Sequence, residues 1–323
     1  MKNLCTAPVE AAPVEAAPVE AAPVEAAPVE LDFGIVTEGC CGLEISVEES
    51  IRLLNGIGFC NVEIPSWHLL KDMSYLPRVK EIADRLRNLR ILLDDLNMNV
   101  LQFHGPCGSS DLVADSETSR KQHVDDFKRH IDIAQVVGAK SLVIHIGGKH
   151  DVCREKEYAD IFEGNVKSLT SLAEYVGNSG FNLAIENLMS RENRMGSRIA
   201  DLKDLIVAVG SDRIGICLDT GHANVEGLDV PTAVRECGSL LTATHIQETC
   251  RDNDLHLFPF SLHSSRTGMD WIKIFQAFKA IGYRKPLIGE CSNKAPVPAS
   301  LAGHYLKVQK DMIEFAMHGI SNE

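Results

Sequence analysis

From Leu31 onward, short apolar runs alternate with longer stretches whose apolar residues recur every three or four positions. The short runs fall at 31–37, 59–64, 99–103, 141–144, 181–185, 214–219, 242–244 and 286–289, and each has the length and texture of a buried strand. Between and after them, helical periodicity predicts helices over 46–57, 76–96, 119–137, 160–176, 199–209, 230–241, 269–281 and 301–317. Ser46 and Glu49 stand at capping-box spacing at the start of the first helix. Strictly alternating strands and helices imply a parallel sheet, and eight such units at this length predict an α/β chain closed into a (β/α)8 barrel. A doubly wound open sheet is the alternative. No G-x-G-x-x-G turn follows the first run, which argues against a dinucleotide-binding version of it.

The segment before Leu31 has a different texture. Residues 7–30 repeat A-P-V-E-A, with prolines at 8, 13, 18, 23 and 28. Each proline removes a donor and disfavours helix at the preceding residue, and valine alone buries too little to offset the ordering entropy. The expected organisation is therefore a disordered repeat arm over 1–30 and one barrel domain over 31–323. Five glutamates and one lysine in that arm account for −4 of the net charge of −13. An acidic balance disfavours a generic nucleic-acid coat. No apolar run reaches the length of a transmembrane helix, and no secretory leader pattern opens the chain, so a cytoplasmic location is expected. The ten cysteines are scattered and include no C-x-x-C pair; Cys60 and Cys217 lie in apolar runs where cysteine serves as a small hydrophobe.

The chemistry collects where the strands stop. Seven of the eight runs end at or beside Glu63, His104, His145, Glu186, Asp219, His245 and Glu290. Each alone has an ordinary explanation, such as a helix cap or a core histidine. In a barrel, however, the strand ends converge on one mouth and become neighbours. Imidazoles and carboxylates together suit a divalent ion such as Mn, Zn, Mg or Co. Glu186, Asp219, His245 and Glu290 would offer three anionic oxygens and one nitrogen, a plausible open site.

Four stretches carry a resemblance: D-T-G-H-A-N at 219–224, I-E-N at 185–187, H-I-G-G at 145–148 and H-I-Q-E-T-C-R at 245–251. With the strand-end set, they make the chain, from about Leu31 to its last helix, similar to the xylose-isomerase-like barrel superfamily. That superfamily includes sugar isomerases and epimerases as well as the DNA-repair enzyme endonuclease IV. In the ketose 3-epimerase branch, the resemblance implies one metal on Glu186, Asp219, His245 and Glu290, with Glu186 and Glu290 moving protons on opposite faces of the sugar. It also implies that Glu192, His222 and Arg251 contact substrate, and Glu63 at its strand tip is placed with them. In the endonuclease branch, it implies up to three zinc ions on those four residues together with His104, His145, His222, Asp254 and His256.

The text around Glu186 and Asp219 departs from the endonuclease pattern, reading E-N-L-M-S-R and D-T-G-H. The run L-F-P-F-S-L-H-S-S after His256 departs from both branches. The expected function is thus a divalent-metal-dependent sugar or sugar-phosphate isomerase or epimerase working through an enediolate. The alternative is a zinc phosphodiesterase acting on abasic DNA. A small sugar is the expected partner, nucleic acid belongs to the alternative alone, no membrane is involved, and self-association accompanies the resemblance.

Overall fold

A computed structural model of the chain describes residues 29–38, 43–107, 112–147, 158–190, 195–292 and 297–319. The repeat arm before Val29, Cys40, Cys41 and Glu192 lie outside them. In chain order the elements are β1 (Phe33–Val36), α1 (Val47–Ile57), β2 (Asn61–Pro65), α2 (Ser66–Leu69), α3 (Ala83–Asp95), β3 (Asn99–His104), α4 (Glu117–Val136), β4 (Ser141–His145), α5 (Tyr158–Val176), β5 (Asn182–Glu186) and α6 (Ile199–Val209). They continue with β6 (Ile214–Asp219), α7 (Thr220–Val225), α8 (Val230–Cys237), β7 (Leu241–His245), β8 (Glu248–Cys250), β9 (Asn253–Leu257), α9 (Ser264–Thr267), α10 (Trp271–Ala280), β10 (Leu287–Gly289) and α11 (Ala299–His318).

Eight strands form one parallel sheet in the order β10-β1-β2-β3-β4-β5-β6-β7. The two ends meet at a parallel bridge between Ile246 and Gly289, with the Ile246 amide donating to the Ile288 carbonyl at 2.8 Å. The chain is a (β/α)8 barrel. Its close strand contacts leave no room for side chains at some positions. A Cβ on Gly34 would come within 2.5 Å of the Asn61 carbonyl oxygen of the neighbouring strand.

Local sequence explains where elements begin and end. Ser46 accepts from the Glu49 amide while the Glu49 carboxylate takes the Ser46 amide, so α1 starts with a complete capping box. The continuous helix expected over 76–96 is broken: a 3-10 turn at Val79–Glu81 precedes α3. Pro77 disfavours helical backbone at Leu76, an effect that apolar periodicity does not register. The helix expected over 230–241 ends at Cys237 because Gly238 turns the chain at φ 52°. The β8–β9 hairpin is an element that the strand–helix alternation does not predict. Cys60 is exposed ahead of β2, whereas Cys217 is buried as expected.

Two layers of core result. Large aliphatic and aromatic residues, among them Ile144, Ile185 and Leu218, fill the space between sheet and helices. A small separate cluster of Val143, Ala184, Cys217 and Ala243 comes from β4 to β7. Successive strand residues point to opposite faces, so the residue two beyond each shares its direction. Those residues are His145, Glu186, Asp219 and His245. Small apolar side chains therefore floor the barrel, and the polar set stands directly above them.

Candidate metal centre

His245 is the hub. Its Nδ1 lies 3.2 Å from Glu186 Oε1, 3.4 Å from Glu290 Oε2 and 3.9 Å from Asp219 Oδ2. One ligand atom from each of these four residues lies within 4.8 Å of the others. β5, β6 and β7 deliver Glu186, Asp219 and His245 from their tips, and Glu290 follows β10, its amide bonded to the Ile246 carbonyl at 3.2 Å. Both Glu186 oxygens and His245 Nδ1 are buried without a hydrogen-bond partner. Buried polar atoms are nearly always partnered. Three orphans converging with two further carboxylates fit a divalent cation, and the set suits one that accepts oxygen and imidazole ligands.

Two more groups flank the quartet. His145 Nε2 and His104 Nε2 lie 3.1 and 3.5 Å from Glu186 Oε2. On the other side, Asp254 Oδ2 lies 2.9 Å from His256 Nε2 and 3.6 Å from His222 Nε2. His222 also places Nδ1 3.3 Å from Glu186 Oε1. Thus His104, His145, His222, Asp254 and His256 are all brought to the quartet.

Supporting residues hold these side chains. Asn187 donates to the Asp219 carbonyl and accepts the Asp219 amide at 2.7 Å, and its own carbonyl lies 2.9 Å from His222 Nδ1. Gln247 donates to both Asp219 and Asp254 and accepts the His256 amide at 3.0 Å. Gly221 makes room for it, since a Cβ there would sit 2.4 Å from the Gln247 amide carbon. His256 is held at φ 51°, a left-handed conformation costly for a side chain and often found at functional positions. Asn187 and Gln247 lie inside I-E-N and H-I-Q-E-T-C-R, the only sequence signal of their supporting roles. Cys107, three residues after His104, is a further neighbour that no strand-end pattern marks. Its Sγ lies 3.8 Å from His104 Nδ1 and 3.9 Å from His145 Nε2.

A family model described as a xylose isomerase-like TIM barrel matches residues 51–311. The chain belongs to that family. Among curated relatives, a D-psicose 3-epimerase of Agrobacterium fabrum is 24% identical over 263 residues, 79% of this chain and 82% of that protein. A probable endonuclease 4 of Oceanobacillus iheyensis is 30% identical over 108 residues, a third of each chain (33% and 34%). An uncharacterised protein of Sinorhizobium fredii is 28% identical over 169 residues, so that this chain spans about half (52%) of its length. A crystal structure of D-psicose 3-epimerase in the presence of D-fructose superposes with a TM-score of 0.72 at 18% identity, covering 89% of this chain and 99% of that one. Homologues of this xylose isomerase-like barrel thus include sugar epimerases and endonuclease 4-like proteins.

Glu63 is fully buried, with Oε2 2.9 Å from His245 Nε2 and a second, short bond from Gln102. Burial alone would raise its pKa, but His245 and His104 outweigh that and lower it. The contact holds the His245 ring with Nδ1 toward Glu186 and Glu290. Such outer partners typically govern about 10–100-fold in metal affinity. Glu63→Gln is therefore expected to weaken metal binding by about that factor, read by competition with a coloured chelator. Arg251 is exposed in the turn between β8 and β9 and lies over Gly268, where a Cβ would meet its Nε at 3.4 Å.

Charge balance in the site is tight. Burial raises Glu290 to about 7, with Glu186 and Asp219 adding to the effect against His245 and His256. Burial would lower the histidines, yet Cys107 and Glu186 lift His145 to about 10, and Asp254 and Glu290 lift His256 to about 9. Burial would raise Cys107, but His145 and His104 bring it down to about 6.

All three raised groups favour their protonated forms in the fold. Their contribution is complete below the ordinary values of 4.5 for Glu290 and 6.5 for the histidines, and is lost as pH rises through about 7, 9 and 10. The lowered Glu63 and Glu186 act only at the acid end, below 4.5. Cys107, lowered from 9.0 to about 6, instead gains stability across pH 6–9 and offsets one of the two histidines there. Chelator-treated protein is therefore expected to lose thermal stability from about pH 7 to pH 10. A melting temperature that rises across that window would contradict the arrangement.

Proposed function

We propose that this barrel is a divalent-metal-dependent sugar or sugar-phosphate isomerase or epimerase that moves a proton through an enediolate. The observation that carries the reading is the quartet itself: three carboxylates around one imidazole nitrogen, with both oxygens of Glu186 lacking a hydrogen-bond partner. Glu186, Asp219, His245 and Glu290 would hold the ion. When bound, such an ion polarises a substrate carbonyl and stabilises the negative charge that develops on proton removal.

The protein's own groups supply the proton chemistry. Glu290 follows β10 and is partly open, whereas Glu186 is fully buried on β5. A carboxyl raised to about 7 is well matched to taking and returning a proton near neutrality. Glu186 and Glu290 are assigned to the two faces of the substrate. His222, beside Glu186 and Asp254, would hold a substrate oxygen.

Next to the His104 side lies a cavity of about 500 Å³ lined by Trp67, Leu70, Met73, Tyr75 and Cys107 among others. Trp67 stands edge-on to His104 with ring centres 4.8 Å apart and offers an apolar wall for a sugar face.

A second reading, an endonuclease-like phosphodiesterase, is favoured by one observation: all nine residues that the resemblance implies as zinc ligands converge in three adjoining groups. The two readings separate on purified protein. Incorporation of solvent deuterium into a ketose at the carbon beside the carbonyl supports the isomerase or epimerase. Nicking of abasic DNA by a protein carrying three zinc ions, with no exchange into any ketose tested, would replace it.

A further inference from the structure

Cys107 stands beside a ligand group in which no cysteine was expected. Cys107 follows the end of β3 by three residues, with Sγ 3.9 Å from His145 Nε2 and 3.8 Å from the His104 ring at Nδ1. His145 Nε2 lies 3.1 Å from Glu186 Oε2, and His104 Nε2 lies 3.5 Å from the same oxygen. That oxygen is buried and has no hydrogen-bond partner. Bond lengths of about 2.3 Å to sulfur and 2.0 Å to nitrogen put S and N about 3.6 Å apart on a tetrahedral zinc ion. The 3.9 Å between Cys107 Sγ and His145 Nε2 is within a few tenths of that.

We propose that Cys107 is a metal ligand, forming a thiolate-containing zinc site with His104 and His145 beside the oxygen-rich quartet. Binding requires the thiol proton to leave to solvent as the sulfur–zinc bond forms. Glu186 stands between the two sites, with Oε1 toward His245 and Oε2 toward His145. They differ in chemistry. Thiolate and imidazole select zinc or cobalt, whereas the three-carboxylate quartet is open to harder ions. One thiolate and two imidazoles supply three ligands, so a tetrahedral ion there keeps one further position. It would anchor the β3 and β4 ends beside Glu186.

The test uses the full chain without substrate, so its outcome is independent of the sugar reaction. Protein loaded with cobalt(II) should show a thiolate-to-cobalt charge-transfer band in the near ultraviolet, and C107S should lack it. On wild-type protein, zinc should slow alkylation of Cys107 by iodoacetamide on the order of tenfold or more, followed by peptide mass, because a coordinated thiolate is a poor nucleophile. The alkylation measurement stands even where C107S fails to fold. Identical cobalt spectra for the two proteins, or an alkylation rate unchanged by saturating zinc, would overturn the assignment.

Discussion

Glu290→Gln should lower turnover, and solvent-deuterium exchange into substrate, by about 10²–10⁴-fold, the usual contribution of a general acid or base. Glutamine has nearly the same volume but cannot carry the proton. The backbone bonds at this position survive the change: the Glu290 amide still reaches Ile246, and its carbonyl still meets His256 Nδ1 at 3.1 Å. The side chain is 17% exposed, so the substitution leaves no fully buried orphan. Circular dichroism should be unchanged while exchange is lost. A variant that exchanges at the parental rate would remove Glu290 from the proton path.

The largest loss of metal is expected from Glu186→Gln. Glu186 reaches four imidazoles, those of His104, His145, His222 and His245, at 3.1–3.5 Å. Burial alone would raise its pKa, but His245 and His145 hold it well below the usual carboxylate range. An amide in its place removes one of the quartet's negative charges and leaves those imidazoles without it. The loss of affinity should exceed the roughly 10–100-fold typical of an outer partner, and hence exceed that of Glu63→Gln. Titration against a chelator of known affinity gives both values on one scale. Equal or smaller loss at Glu186 would mean that the ion sits elsewhere.

Much of the site is legible in the chain's own alternation. A strand alternates inward and outward, so A-I-E at 184–186, C-L-D at 217–219 and A-T-H at 243–245 each read as a small inward residue followed, two places on, by an inward polar one. The barrel itself follows from eight repeats of strand and helix, because parallel strands require crossovers. Where sequence pattern is silent, the deciding contact is distant in the chain. Glu63 and His245 are 182 residues apart and meet only across the barrel interior. Nothing in the run N-V-E-I-P distinguishes a carboxylate that faces substrate from one that props a histidine.

The β8–β9 hairpin and the positive φ of His256 are further cases. Gln247 fixes both ends of that segment through Asp219, Asp254 and the His256 amide. Cys107 lies in a loop, where no periodicity constrains direction, and its approach to His145 depends on the path of that loop.

The sequence by itself determined the alternation of strands and helices, and with it the barrel and the quartet at its mouth. Periodicity is a local property that each segment expresses alone. Only the tertiary structure decided that Glu63 is buried against His245, that Arg251 stays in an exposed turn, and that a thiol lies beside His104 and His145. Those outcomes depend on closure of the sheet between β7 and β10 and on loop paths over the mouth, which are set by packing among residues far apart in the chain.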